Sequence, residues 1–195
     1  TTGKITAVGA AALTSNTTGI NNAAFGGATD AGGAALQDNT TGSYNAAFGY
    51  AALRLNTTGG DNTAFGAAAL SVNTTGAYNT GLGRQALYNN TTASNNTAVG
   101  YQALVANTTG AGQASTGSSN VYIGNQAAKN ATTGSENVAV GALALFTMTS
   151  PGQMTAVGKN AARLTTTGSN TVAMGYNALY NQTTGANNTC IGVSA

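Results

Sequence analysis

The sequence predicts an all-β fold: a parallel β-solenoid, or β-roll, built from 17-residue rungs. Three observations carry the prediction. One unit, N-T-A-V-G-Y-Q-A-L-V-A-N-T-T-G-x-x, recurs along the whole chain. Ala, Thr, Gly and Asn make up 124 of the 195 residues. Charged residues amount to 5%, against about 25% in an ordinary globular domain. Low charge with high Gly would also suit a disordered chain, but 42% hydrophobic residues and so strict an order argue against disorder. A short fixed period is the signature of stacked rungs, each burying what its neighbour exposes.

Units begin at Ile5, Asn22, Asn45, Asn62, Asn79, Asn96, Asn120, Asn137, Met154, Thr171 and Asn188, so residues 1–195 form a single repeat array. Two units are longer than seventeen residues. The Asn22 unit has six extra residues at Gly27–Gly32, and the Asn96 unit has seven at Gln113–Ser119. Each position in the unit is a column that runs along the rod. Rungs stack at roughly 4.8 Å, so eleven of them span about 50 Å.

Column four is apolar in every unit, from Val8 through Phe25, Phe48 and Phe65 to Ile191, and is expected to supply the core. Column five is Gly in all eleven units, which marks a corner where a side chain would clash or φ is positive. Ala throughout column eight implies a narrow interior there. The first five columns are rich in Thr, Val and Phe and read as a strand. The following x-x-A-L-x-x is rich in helix formers, and its adjacent Ala and Leu do not alternate as a one-sided strand would. Two solutions remain open. A second strand, the preferred one, would need a partner chain to cover both faces; the other is a single helical turn. N-T-T-G reads as a turn in which Asn caps its own backbone and Gly takes the left-handed conformation. Stacked Asn and Thr columns are expected to form rung-to-rung ladders.

The charges keep to variable columns and are expected to face water. Arg84 and Lys159 are in column six, Arg54, Lys129 and Arg163 in column ten, and Asp61 and Glu136 in column seventeen. Tyr50, Tyr101 and Tyr176 share column six, while Tyr88, Phe146 and Tyr180 share column ten. Such aromatics suit a subunit-facing edge or a sugar-stacking stripe.

Composition also excludes function classes. There is no His, so no Ser-His-Asp triad, Cys-His dyad or His-ligated metal is available. The single Cys190 cannot form an internal disulfide. A net charge of +2 is too small for a nucleic-acid footprint. No apolar run approaches the ~20 residues of a membrane-spanning helix. No cofactor and no metal site are expected. Gly81-Leu82-Gly83-Arg84-Gln85-Ala86 mimics a dinucleotide fingerprint, but the same columns read Ala-Val-Gly-Tyr-Gln-Ala at residues 98–103. Gly59-Gly60-Asp61, part of a calcium-roll pattern, occurs once. Asn16, Asn39, Asn56, Asn73, Asn90 and Asn107 open formal glycosylation sequons, which the turn chemistry explains more simply. Asp30 and Asp38 are the only close carboxylates, and they read as two solvated loop acids.

The motifs N-V-A-V-G (Asn137–Gly141) and T-V-A-M-G (Thr171–Gly175), each with Ala three residues on, resemble the S-V-A-I-G-x-x-A repeats of trimeric autotransporter adhesin heads. The longer N-T-A-V-G-Y-Q-A-L…N-T-T-G form is similar to repeats of bacteriophage tail fibres and related bacterial surface proteins. The resemblance covers nearly the whole chain, although the repeat is three residues longer than the adhesin kind. It implies a homotrimeric β-roll in an extracellular fibre, on a virion tail or a cell surface. The chain starts inside an N-T-T-G turn and stops at column eight, which suggests a piece of a longer array or end-to-end stacking into a filament.

The expected role is therefore structural and not enzymatic, with self-association as the main partnership. Any contact with a host-surface glycan or receptor is expected at the insertions, through Gly27, Ala28, Thr29 and Asp30 and through Gln113, Ser115 and Thr116, or at Tyr50, Tyr101 and Tyr176. Loops on a rigid scaffold are the usual place for binding. Two alternatives follow from the same residues. One is a ligand-binding solenoid, for ice along Thr rows or for glycan. The other is a polysaccharide-cleaving tail protein that uses Asp30 and Asp38.

Overall fold

The computed structural model describes residues 3–28, 32–105, 117–150 and 152–195. It is a parallel β-solenoid with one three-residue strand per rung. The strands are β1 (Thr6–Val8), β2 (Ala23–Phe25), β3 (Ala46–Phe48), β4 (Thr63–Phe65), β5 (Thr80–Leu82), β6 (Thr97–Val99), β7 (Val121–Ile123), β8 (Val138–Val140), β9 (Thr155–Val157), β10 (Val172–Met174) and β11 (Thr189–Ile191). They form one eleven-stranded sheet in chain order. Every column pairs with itself: Ala47 with Ala64, Phe48 with Phe65, Thr80 with Thr97. The two insertions leave that register intact, since Phe25 still pairs with Phe48 and Val99 with Ile123.

The core is not where column four was expected to put it. Strand residues alternate, so if column three points inward, columns two and four point out. Column three is the buried one: Ala24, Ala47, Ala64, Ala98, Ala139, Ala156 and Ala173 have no exposed surface. Column four is half-buried or exposed, and Phe65 retains 55% of its surface. The interior is filled instead by Ala of column eight and Leu of column nine. Ala52, Leu53, Ala69, Leu70, Ala86 and Leu87 are all fully buried. Leu reaches across to the small strand residue: a methyl group added at Gly81 would stand 3.4 Å from Cδ1 of Leu70. In the Asn120 rung the volumes trade places. Tyr122 replaces the column-three Ala and is fully buried, while Ala128 and Ala131 replace the usual Leu and Asn. Interiors tolerate such swaps when the total volume is kept.

The segment after the glycine corner is neither of the two expected forms. Among the described residues it contains no second strand and no helix, only a run of turns. Columns seven and nine adopt left-handed backbone, as at Gln85 (φ 58°), Leu87 (φ 54°), Gln102 (φ 53°) and Leu104 (φ 49°). The amides of the two left-handed columns point in opposite directions along the rod, while the Ala86 N–H between them donates within the rung to the Gly83 carbonyl at 3.2 Å. Gln85 N–H donates back to the Ala67 carbonyl at 2.9 Å, and Leu87 N–H donates forward to Ala103 at 3.0 Å. The segment thus keeps a sheet-like ladder while turning two consecutive side chains, Ala86 and Leu87, into the same core. No partner chain is needed to cover the Ala-Leu pair. A left-handed non-glycine residue costs about 1–2 kcal/mol; here the rung-to-rung bonds and the buried Leu offset it.

Column five behaves as expected. All eleven glycines have φ between 118° and 153°. The glycine of the N-T-T-G turn is a different case. It is not left-handed; it is required because the next rung is too close. At Gly59 an added methyl would meet the carbonyl of Gly76 and stand 2.5 Å from Oδ1 of Asn56. The left-handed residue of this turn is in column seventeen, as at Tyr44, Asp61 and Tyr78.

The expected ladders are present. In column twelve, Asn39, Asn56, Asn73 and Asn90 each donate from Nδ2 to Oδ1 of the preceding Asn, at 2.7–2.8 Å. In column one, Asn45, Asn62 and Asn79 each bond through backbone N–H to Oδ1 of the Asn one rung before, at 2.9–3.0 Å. Column-thirteen hydroxyls donate forward to the next column-thirteen carbonyl, for example Thr57 to Thr74 at 3.1 Å.

Candidate functional site

Two surface features have chemistry to offer. The first is the outer face of the sheet. Columns two and four stand on it as two parallel rows, Thr, Ala or Val beside Val, Phe, Leu, Ile or Met. The phenyl rings stack along the rod: Phe25 and Phe48 lie 4.7 Å apart at 5°, and Phe48 and Phe65 lie 5.6 Å apart at 28°. Leu82, Ile123, Met174 and Ile191 continue the row as exposed apolar residues. A continuous apolar strip the length of the rod is unlike the scattered exposed hydrophobics of a monomer.

The second feature lies past the glycine corner, where columns six and ten flank the turn segment. Successive rungs there carry Tyr50 and Arg54, then Ala67 and Ser71, then Arg84 and Tyr88. The small residues of the middle rung leave a depression of about 380 Å³ between the larger ones. Its floor is Ala67, Ala68 and Ser71, and its walls are Tyr50 with Arg54 and Arg84 with Tyr88; Gly32 borders one end. Two of the wall side chains are supported. Tyr50 packs on Gly33, where any side chain would collide with its ring. The Arg84 guanidinium lies 5.9 Å from the centroid of the Tyr101 ring. No carboxylate lines the depression among the described residues.

The sequence-predicted candidates are distributed as follows. Tyr50, Tyr101 and Tyr176 are all exposed, yet they do not form one stripe. Ala67 and Arg84 separate the first two, and Asn125, Ala142 and Lys159 separate Tyr101 from Tyr176. Gly27 is exposed and Ala28 half-buried, with the Ala28 N–H donating to Ala10 at 3.3 Å. Thr29, Asp30, Gln113, Ser115 and Thr116 lie outside the described residues. Asp38 follows the Leu36 turn, and its N–H donates to the Arg54 carbonyl at 3.0 Å. In column ten, Arg163 is packed between Phe146 and Tyr180, 5.5 and 5.6 Å from their ring centroids, and donates to the Tyr180 hydroxyl. That cation is occupied within the rod.

The sequence placed Arg54 and Arg84 in columns expected to face water, and Tyr88 on a subunit-facing edge or sugar-stacking stripe, without bringing the three together. The signal it missed is local: a rung with Ala and Ser in columns six and ten sits between two rungs that carry Tyr and Arg there. The Thr rows give no flat double array. Column-thirteen hydroxyls are consumed in rung bonds, and column fourteen is a single exposed row. Asn39, Asn56, Asn73 and Asn90 are fully buried with both amide atoms facing the ladder, so their sequons are inaccessible in the folded chain. Gly81-Leu82-Gly83 belongs to β5 and its corner, with no helix after it to receive a phosphate. No family model, curated protein or solved structure matches this chain.

Proposed function

We propose that the chain is a rigid structural segment of an extracellular fibre, a phage tail shaft or an adhesin-like surface filament, that assembles as a homotrimer through its outer sheet face. The observation that carries the reading is the apolar row of column four, outward along the whole rod instead of inward. The single-chain core is already complete without it, so the row is free to serve another copy. Its neighbours suit close approach, because column two offers only Thr, Ala and Val. Two such strips about 50 Å long bury on the order of 1,000 Å² together, near the lower bound of a stable interface, and every additional rung adds to it. The resemblance to trimeric adhesin heads supports three copies rather than two. The role is mechanical: ladders fix the register within a chain, and the apolar row fixes chains to one another.

Light scattering after size exclusion tests this. A mass of about three times 18.9 kDa is expected, falling to a single chain in the Phe48→Glu, Phe65→Glu double variant with an unchanged far-UV spectrum. A monomeric parent protein would overturn the assembly, and a variant that remains trimeric would move the interface elsewhere.

A further inference from the structure

The depression between Tyr50 and Tyr88 has a composition that the rest of the rod lacks. We infer that it is a binding site for an acidic saccharide, one or two sugar rings carrying a carboxylate or sulfate. Three observations converge on this class. Arg54 and Arg84, two of the three arginines in the chain, stand two rungs apart, a rise of about 10 Å along the rod, and border a common floor from opposite flanks. Guanidinium groups match planar anions with paired donors in a way lysine does not. Tyr50 and Tyr88 stand diagonally opposite them, each beside one arginine, and offer ring faces and hydroxyls to the C–H faces and hydroxyls of a sugar. The floor is Ala67, Ala68 and the 3% exposed Ser71, shallow and flat, with no apolar pit for a peptide side chain.

The site is also ready-made. Arg84 rests on Tyr101, so less side-chain freedom is lost when an anion arrives. The insertion that precedes Gly33 comes back to the rod at Gly32, on the rim. The long nucleic-acid strands that arginines often serve require a wider basic surface than a chain of net charge +2 provides. The inference does not depend on the oligomeric state, because columns six and ten lie beyond the corner from the sheet face. The variants below leave column four untouched, so failure here and failure of the assembly are separate results.

The test is calorimetric titration of the whole chain with a tetrasaccharide of galacturonic acid, with its neutral galactose counterpart, with tetraglutamate and with inorganic sulfate. The acidic saccharide should bind at least tenfold more tightly than the other three. Arg54→Gln with Arg84→Gln should weaken it tenfold or more. Ala67→Tyr should do the same with both charges in place, because it fills the floor, and column six accepts Tyr at Tyr101 and Tyr176. Lys159→Gln, which removes one charge from column six far from the depression, should change affinity less than twofold. Equal binding of the neutral sugar or of tetraglutamate would overturn the assignment, as would equal binding of sulfate alone. So would an unaffected Ala67→Tyr variant, a Lys159→Gln variant as weak as the arginine pair, or no saccharide binding at millimolar concentration.

Discussion

Asn45 and Asn56 donate to the same acceptor, the carbonyl of Gly59, each at 2.9 Å. The first belongs to column one and the second to column twelve, so the two Asn ladders are tied together at every described rung that has both. Asn62 and Asn73 repeat the arrangement on Gly76, and Asn79 and Asn90 on the carbonyl of Ala93. Asn39, Asn45, Asn56, Asn62 and Asn73 are fully or almost fully buried, yet Nδ2 and Oδ1 of each find partners, which is the condition for polar side chains in a low-dielectric interior.

That satisfaction makes the ladder intolerant of gaps. Asn56→Ala would strand Oδ1 of Asn39 and one of the two N–H groups on Nδ2 of Asn73 in the core, at about 1–3 kcal/mol for each orphaned group. Urea unfolding should show a loss of roughly 2–5 kcal/mol. Asn130→Ala, at a half-buried position outside both ladders, should show well under half of that.

Leucine in column nine is held in left-handed backbone, where a β-branched side chain is disfavoured. Leu87→Ile keeps the volume but adds this strain, and should cost about 2–4 kcal/mol. Leu87→Met, similar in volume and unbranched, should cost under about 1.5 kcal/mol. A ranking with Ile the milder change in thermal or chemical unfolding would count against the backbone described here.

The turn glycine needs no special φ but leaves no space for a side chain. Gly59→Ala should therefore destabilise by about 1–3 kcal/mol through overpacking against the next rung. The same change at Gly60, where the nearest atom to an added methyl is a carbonyl oxygen at 3.1 Å and nothing else lies closer than 3.9 Å, should cost distinctly less. Paired melting curves decide it.

Burial raises the Tyr122 phenol above its usual value near 10, with the nearby Asn137 side chain acting weakly the other way. A group whose folded pKa is raised contributes stability fully present below the unfolded pKa and lost as pH climbs through the folded one. Unfolding free energy should accordingly start to fall above about pH 10. Tyr122→Phe should flatten that part of the profile, apart from any offset in absolute stability.

Much of this was legible in the linear sequence. The period, the unit boundaries, the parallel register, the glycine corner at column five and the Asn and Thr ladders all follow from residue types that recur at a fixed spacing, because identical residues stacked one rung apart must meet one another. What the spacing did not reveal was which side of the strand faces in. An apolar Val or Phe in column four and an Ala in column three are both compatible with burial, and hydrophobicity favours the wrong one. The decision belongs to volume. Leu from column nine already spans the interior, so only Ala or Gly fits opposite it, and the larger Phe48 and Phe65 must turn outward.

The left-handed residues were legible too, by omission. In a chain with 33 threonines, not one β-branched residue occurs in columns seven, nine or seventeen, but that pattern gains meaning only once the backbone is seen. The depression at Tyr50, Arg54, Arg84 and Tyr88 was beyond reach for a related reason. Its residues are up to 38 positions apart and become neighbours only when three rungs stack. Sequence by itself determined the repeat, and with it a rod of stacked rungs. Tertiary structure decided which columns point outward, because that depends on how much side-chain volume one narrow interior can hold.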